Sequence, residues 1–306
     1  MKIFLHIGMP KSGSSSIQRT LKINQRLMLK CGVSCTYGSN CLYDLAIDDR
    51  APAPEIPPGC HTAIFSDERL FHRVSNEVEA RRIIDALRRF STDIKVICYI
   101  RREDEVFVSS YFTLLLSGST ARLEDRPLKP VLIYKRLQTW VSALGADQII
   151  LRRFGPDYLP QGVVTDFLSH VGLDSIGIKE AARANVSPRT DVLEMIRQIN
   201  GIFPETDRFA LKLIAAVGGA GEQLGLSAED RRKIVALARG GTAKLSNLFF
   251  GGEPVFTHPF PDDATHPVEL SAADVARVGE QLAKAHRMET GTIPTDTREL
   301  LRWLYT

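Results

Sequence analysis

The strongest constraint on this chain lies in residues 2–28. Lys2-Ile3-Phe4-Leu5-His6-Ile7 is a short apolar run that stops at glycine, which predicts a buried parallel strand. Gly8-Met9-Pro10-Lys11-Ser12-Gly13-Ser14-Ser15-Ser16 follows as a loop, and residues 17–28 then carry helical spacing. A strand, a glycine loop and a helix in that order bring backbone N–H groups to the positive end of a helix dipole, which makes an anion site. The glycines let a phosphate approach the backbone, and the serine hydroxyls add donors. The plainer reading of the same residues is a Gly/Ser-rich turn with Ser14 as the helix N-cap.

In the nucleotide triphosphatase loop, G-x-x-x-x-G-K-[ST], lysine follows the second glycine and reaches the β and γ phosphates. Gly8 and Gly13 have the right separation, but Ser14 stands where that lysine belongs. The lysine lies inside the loop instead, at Lys11, near the terminal group of a shorter ligand. No apolar run ending in aspartate is placed to hold a metal.

Further strands are expected at 62–65, 95–100 and 148–151, with amphipathic helices at 77–90 (Val78, Ile83, Ile84 and Leu87 on one face) and 131–144. Strands alternating with helices predict βαβ units and a parallel sheet. Beyond about residue 155 only helical patterns are expected, at 159–171, 188–200, 206–218, 227–243, 271–287 and 297–304. The expected fold is α/β: a three-layer domain over 1–306, with an α/β core at 1–155 and a mainly helical half at 156–306.

Composition narrows the function. Of 306 residues, 39 are basic and 36 acidic, a net charge of +3, which argues against bulk nucleic-acid binding. No apolar run reaches the roughly 20 residues of a membrane span, and the first apolar stretch is too short for a secretion signal. Five cysteines, an odd number in a long chain, fit reduced thiols and a cytoplasmic setting better than a disulfide framework. Cys31, Cys35 and Cys41 invite a zinc reading, but a fourth ligand is missing nearby, so free thiols are the better account.

Pro10-Lys11-Ser12-Gly13-Ser14-Ser15 resembles the 5′-phosphosulfate loop, P-K-[ST]-G-[ST]-[ST], of sulfotransferases that use 3′-phosphoadenosine 5′-phosphosulfate (PAPS). The wider string from His6 to Gln18 looks like bacterial carbohydrate-sulfotransferase-like members with a P-loop-type fold. The resemblance implies that Lys11 meets the bridging oxygen and sulfonate, and that Ser12, Gly13, Ser14, Ser15 and Ser16 hold the 5′-phosphate. It also implies a 3′-phosphate site at Arg101 and Ser109, eight residues apart. Arg102 and Ser110 have the same spacing, so the register is open by one residue. Tyr134, Leu137 and Trp140, then Phe167-Leu168 and Gly172-Leu173, follow the family's progression over about residues 2–175, and Asn185-Val186-Ser187 resembles a short element of bacterial members.

Sulfuryl transfer to a hydroxyl needs a base near the acceptor. Glu68-Arg69 resembles the acidic–basic pair of heparan-type members, which implies Glu68 as base and Arg69 as an orienting cation, with Asp67 as the alternative. His6, inside a strand, reads as a core histidine, and His72 as a possible acceptor contact. The implied reaction transfers a sulfuryl group from PAPS to a carbohydrate or glycolipid-like hydroxyl or amine, releasing adenosine 3′,5′-bisphosphate (PAP) without a metal. Arg152, Arg153, Phe249 and Phe250 are candidates for the acceptor side. A P-loop kinase or hydrolase and a non-catalytic nucleotide-binding protein are the alternatives.

Overall fold

The computed structural model describes residues 1–38, 41–48, 50–181, 188–202, 211, 214–215, 224–261 and 269–286. They divide into two compact units. The first holds Met1–Glu103, Val131–Ala184 and Leu237–His258, and the second Asp104–Pro130, Asn185–Ala236 and Pro259–Thr306.

Five parallel strands form the sheet of the first unit: β1 (Lys2–His6), β2 (Val33–Tyr37), β3 (Thr62–Ser66), β4 (Ile94–Ile100) and β5 (Ile149–Arg153). Their order across the sheet is β2-β3-β1-β4-β5. β1 is innermost, and Ile3, Phe4, Leu5 and His6 are all buried, as a strand covered on both faces requires. From β1 the chain runs to the edge strand β2, returns to β3 between them, then crosses to β4 and β5 on the other side. In open sheets of this kind ligands bind beyond the carboxyl ends of the strands, where the order reverses. Here that place is the end of β1 and β4.

Between the strands run α1 (Ser14–Lys30), α2 (Cys41–Ile47), α3 (Arg69–Arg73), α4 (Glu77–Arg88) and α6 (Ile133–Leu144), and α7 (Val163–His170) follows β5. Spacing of four, seven and eleven from Ile17 puts Leu21, Asn24 and Met28 on one buried face of α1. Ile17, Leu21 and Met28 pack against Phe4, Ile97, Tyr99 and Phe167, each such side chain adding about 1.5–3 kcal/mol by leaving water. α4 starts at Asn76, whose side chain accepts from the Glu79 amide at 3.0 Å while Glu79 reaches back to the Ser75 amide at 2.7 Å. The face it buries carries Ala80, Ile83, Ile84 and Leu87. Val78 does not share it: at 61% exposure it points to solvent, since five residues to Ile83 is half a turn off register.

β2 departs from the sequence expectation, which had no strand there. Val-Ser-Cys-Thr-Tyr is short and mixed, but Gly32 and Gly38 bound it and β3 pairs with it throughout. Cys35 is therefore a buried strand residue, its Sγ facing the Leu21 carbonyl at 3.9 Å. β5 runs on to Arg153, and α7 begins at Val163 because Gly162 at φ 89° starts it there.

The second unit is helical in its described residues, and the 206–218 and 297–304 patterns lie largely or wholly outside those residues. It contains most of α5 (Glu103–Leu115), α8 (Thr190–Ile202), the first turns of α9 (Ala228–Phe249) and α10 (Ala272–His286). Phe107, Tyr111 and Leu115, four apart on α5, share a core with Val192, Met195 and Ile199 of α8. The buried Asp104–Arg231 pair, 2.7 Å, lies in the same unit. Among the described residues no helix is long and apolar enough to cross a membrane.

Candidate functional site

The loop after β1 folds back through three left-handed residues: Gly8 at φ 27°, Lys11 at φ 65° and Gly13 at φ 88°. Among the described residues Lys11 is the one non-glycine with positive φ, a conformation that L-residues resist. A methyl group at Gly8 would collide with Ser14 Oγ, and one at Gly13 would lie 2.7 Å from Val163 Cγ1 and 2.9 Å from Phe154 Cε2. Both glycines are thus fixed by space as well as by backbone.

Gly13, not Ser14, caps α1, and no side chain closes the cap. Ser14 is the first helical residue, and its hydroxyl is buried with no hydrogen-bond partner among the described residues. Burying a hydroxyl unpaired costs about 1–3 kcal/mol, so an oxygen acceptor placed there recovers real energy. With the dipole of a 17-residue helix behind it, that acceptor is best an anion. Ser12 differs. It is fully buried, and its Oγ donates to the Met9 carbonyl at 2.5 Å, bracing the loop from inside. Ser15 and Ser16 are half-buried in the first turn, where the Ser16 amide returns to the Gly13 carbonyl at 3.0 Å.

β3 delivers Asp67 and Glu68 beside this loop, because the Asp67 amide donates to the His6 carbonyl at 3.0 Å. Asp67 is almost wholly buried and committed: it accepts from the Arg69 amide (3.0 Å), Nε (3.1 Å) and Nη2 (2.9 Å). Arg69, read from the sequence as an orienting cation, holds Asp67 and lies over the Tyr43 ring at 5.7 Å. Glu68 is half-buried at the start of α3, and among the described residues it makes no hydrogen bond or ion pair. Burial pushes its carboxyl above the usual range, the Asp67 charge adds to this, and Lys11 opposes it. Burial likewise holds the Lys11 ammonium below its usual value, with Glu68 raising it and Arg101 lowering it further. Desolvation thus disfavours the charged form of each group, and each charge favours the other.

Arg101, the residue after β4, is half-buried, its Nη1 donating to the Lys11 carbonyl at 3.3 Å. Its neighbour Arg102 turns inward, 4% exposed, with Nη1 on the His258 carbonyl at 2.6 Å. Ser109 and Ser110 belong to the second unit, where their hydroxyls donate back along α5 to the carbonyls of Val106 (3.3 Å) and Phe107 (2.8 Å). Of the acceptor-side candidates, Arg152 is taken up by Asp166 at 2.5 Å, which also accepts from the Tyr99 hydroxyl at 2.8 Å. Arg153 lies against the Tyr158 ring at 5.3 Å and the Phe250 ring at 4.5 Å. Phe249 ends α9, His72 is exposed on α3, and Asn185-Val186-Ser187 lies outside the described residues. Among the described residues no group of three His, Cys, Asp or Glu side chains is placed to hold a metal ion.

His6 is a core residue of β1. Its Nδ1 meets Ser66 Oγ at 2.8 Å, and burial lowers its pKa from 6.5 to about 3. The folded state thus resists the proton that the unfolded chain accepts below 6.5. The stabilisation is whole above that pH and lost as pH falls toward 3. We expect this group alone to remove on the order of 1.4 kcal/mol per pH unit below about pH 6. Urea unfolding of wild type and His6→Asn between about pH 7 and pH 5 checks this: the variant should show the flatter dependence.

What sequence reasoning missed is the wall of the loop. Phe154, the first residue after β5, and Val163 of α7 occupy the space that a side chain at Gly13 would need, and neither residue carries a motif.

No protein-family model matches the chain. An uncharacterized protein of Archaeoglobus fulgidus is 29% identical over 143 residues, which span 46% of this chain and 34% of that protein, so the match covers about a third of the relative's length. A crystal structure of a sulfotransferase from Alicyclobacillus acidocaldarius aligns with 82% of this chain and 96% of its own at 13% identity, with a TM-score of 0.48.

Proposed function

We propose that this chain transfers a sulfuryl group from PAPS to a hydroxyl, or an amine, of a carbohydrate or glycolipid-like acceptor. The observation that carries the reading is the Ser14 hydroxyl at the α1 N-terminus, buried without a hydrogen-bond partner among the described residues, on the same loop as Lys11, whose charge and that of Glu68 each act on the other. The first suits a 5′-phosphate. The pair suits a group transferred between a leaving phosphate and an acceptor oxygen.

In this reading Glu68 removes the acceptor's proton as the acceptor oxygen bonds to sulfur. Its raised pKa makes it a stronger base than an ordinary carboxylate. Lys11 faces the bridging oxygen and offsets the charge that grows there as the S–O bond to the 5′-phosphate breaks. Loop amides and Ser14, Ser15 and Ser16 hold that phosphate, and Ser12 contributes by bracing Met9. Arg101 takes the 3′-phosphate, while Arg102 is buried on the His258 carbonyl. Asp67 is held by Arg69, which favours Glu68 as the base.

A kinase reading requires a lysine at position 14, where a buried serine stands instead. Calorimetric titration separates the two. PAP is expected to bind without magnesium, with Kd on the order of 1 μM, about −8 kcal/mol, and more tightly than ATP. Tighter binding of magnesium–ATP would overturn the reading. Transfer of labelled sulfate from PAPS to a panel of sugars and glycolipids then tests catalysis.

A further inference from the structure

Phe154 is the first residue after β5, and its amide donates to the Ile100 carbonyl at 2.7 Å, continuing the register that sets Ile100 beside Arg153. This fixes where its side chain starts. The ring then makes two contacts. One face lies 5.6 Å from the Arg101 guanidinium, within cation–π range. Its edge, with Val163, fills the space that a side chain at Gly13 would need. Arg101 in turn donates to the carbonyl of Lys11, the residue held at φ 65°. A continuous path of contacts therefore runs from one aromatic ring through a guanidinium to the strained peptide of the loop.

We propose that Phe154 is a positioning residue that sets Arg101 and, through it, the Lys11 peptide, so that grip on the distal phosphate and presentation of the lysine form one unit. This rests on the nucleotide reading above for its ligand. A planar guanidinium has donors along several edges, and a ring beneath its face fixes the plane without consuming any of them. One edge then braces the Lys11 carbonyl at 3.3 Å. Lysine in place of Arg101 would offer neither the plane nor the fork.

The test compares PAP with adenosine 5′-phosphate, which lacks the distal phosphate, by titration calorimetry. The ratio of their dissociation constants isolates what Arg101 supplies. Arg101→Ala should remove most of the preference for PAP. Phe154→Ala and Phe154→Leu should each reduce it by about tenfold, and Phe154→Tyr, which keeps the ring, should restore it. In the Arg101→Ala background Phe154→Leu should change the ratio no further. Equal weakening of both nucleotides by Phe154→Leu, or additive loss in the double variant, would overturn the proposal, because that is how a purely structural residue behaves. Amide hydrogen exchange over residues 9–13 gives an arm that needs no nucleotide: Phe154→Leu should speed exchange there by at least about tenfold, and unchanged exchange would also overturn it. A wild-type protein with no preference for PAP would instead sink the nucleotide reading, leaving exchange to decide the positioning role of Phe154.

Discussion

Glu68→Gln is expected to lower kcat for sulfate transfer by about 10²–10⁴-fold while leaving the PAP dissociation constant within about twofold of wild type. The substitution keeps size and shape and removes the one property at issue, acceptance of a proton. In wild type the rate should rise with pH as Glu68 ionises, at a pH above the ordinary carboxylate range because burial and Asp67 raise it. It should fall again at high pH as Lys11, already held down by burial, loses its proton. The acid limb should be absent from the residual activity of the variant. Removing the Glu68 charge also takes away what raises Lys11, so the alkaline limb should move to lower pH. Full activity in Glu68→Gln would end its candidacy, and with Asp67 bound by three Arg69 donors the search would move to His72.

Gly8→Ala should weaken PAP binding at least about 100-fold, an effect as large as removing a charged ligand group. The added methyl would strike Ser14 Oγ, with His6 Cε1 3.1 Å away and Ser14 Cβ 3.2 Å away, so the hydroxyl or the loop must move. The backbone at φ 27° adds strain of roughly 1–3 kcal/mol. Gly59→Ala separates the two effects. Gly59 also has positive φ, 81°, but open space around its methyl position. It should lower thermal stability and leave binding intact. Calorimetry and thermal unfolding on both variants check this, and binding by Gly8→Ala close to wild type would mean that the anion does not lie against Ser14.

The strand–loop–helix at the start of the chain was legible because three local signals coincide within 28 residues: an apolar run, paired glycines and helical spacing. β3, β4 and β5 were legible for the same reason, as apolar runs bounded by charge or glycine. β2 was not, since Ser34 and Thr36 dilute the pattern, and its place in the sheet comes from pairing with β3. Val78 looked like a core position because its residue type is apolar, yet the phase of α4 is set by Ile83 and Ile84. Glu68 was found through resemblance, but the reason to prefer it over Asp67 is a side-chain pairing two residues long that depends on how the turn closes. Arg101 and Arg102 are likewise indistinguishable in sequence, because only the path of the backbone out of β4 sends one inward. Phe154 was invisible: its importance comes from meeting Gly13 and Arg101, 141 and 53 positions earlier in the chain.

The placement of β1 between β3 and β4 also bears on how the molecule is born. Ile3 aligns with Ala63 on one side and with Ile94 on the other. During synthesis the innermost strand therefore emerges well before either neighbour, and its two edges wait, greasy and unzipped, until the ribosome has added some sixty more residues for one and some ninety for the other. Pairings this distant are slow to close and leave sticky edges open meanwhile. Recovery from denaturant should be concentration-sensitive, and binding partners that shelter nascent chains should matter more for this protein's yield than for its final stability.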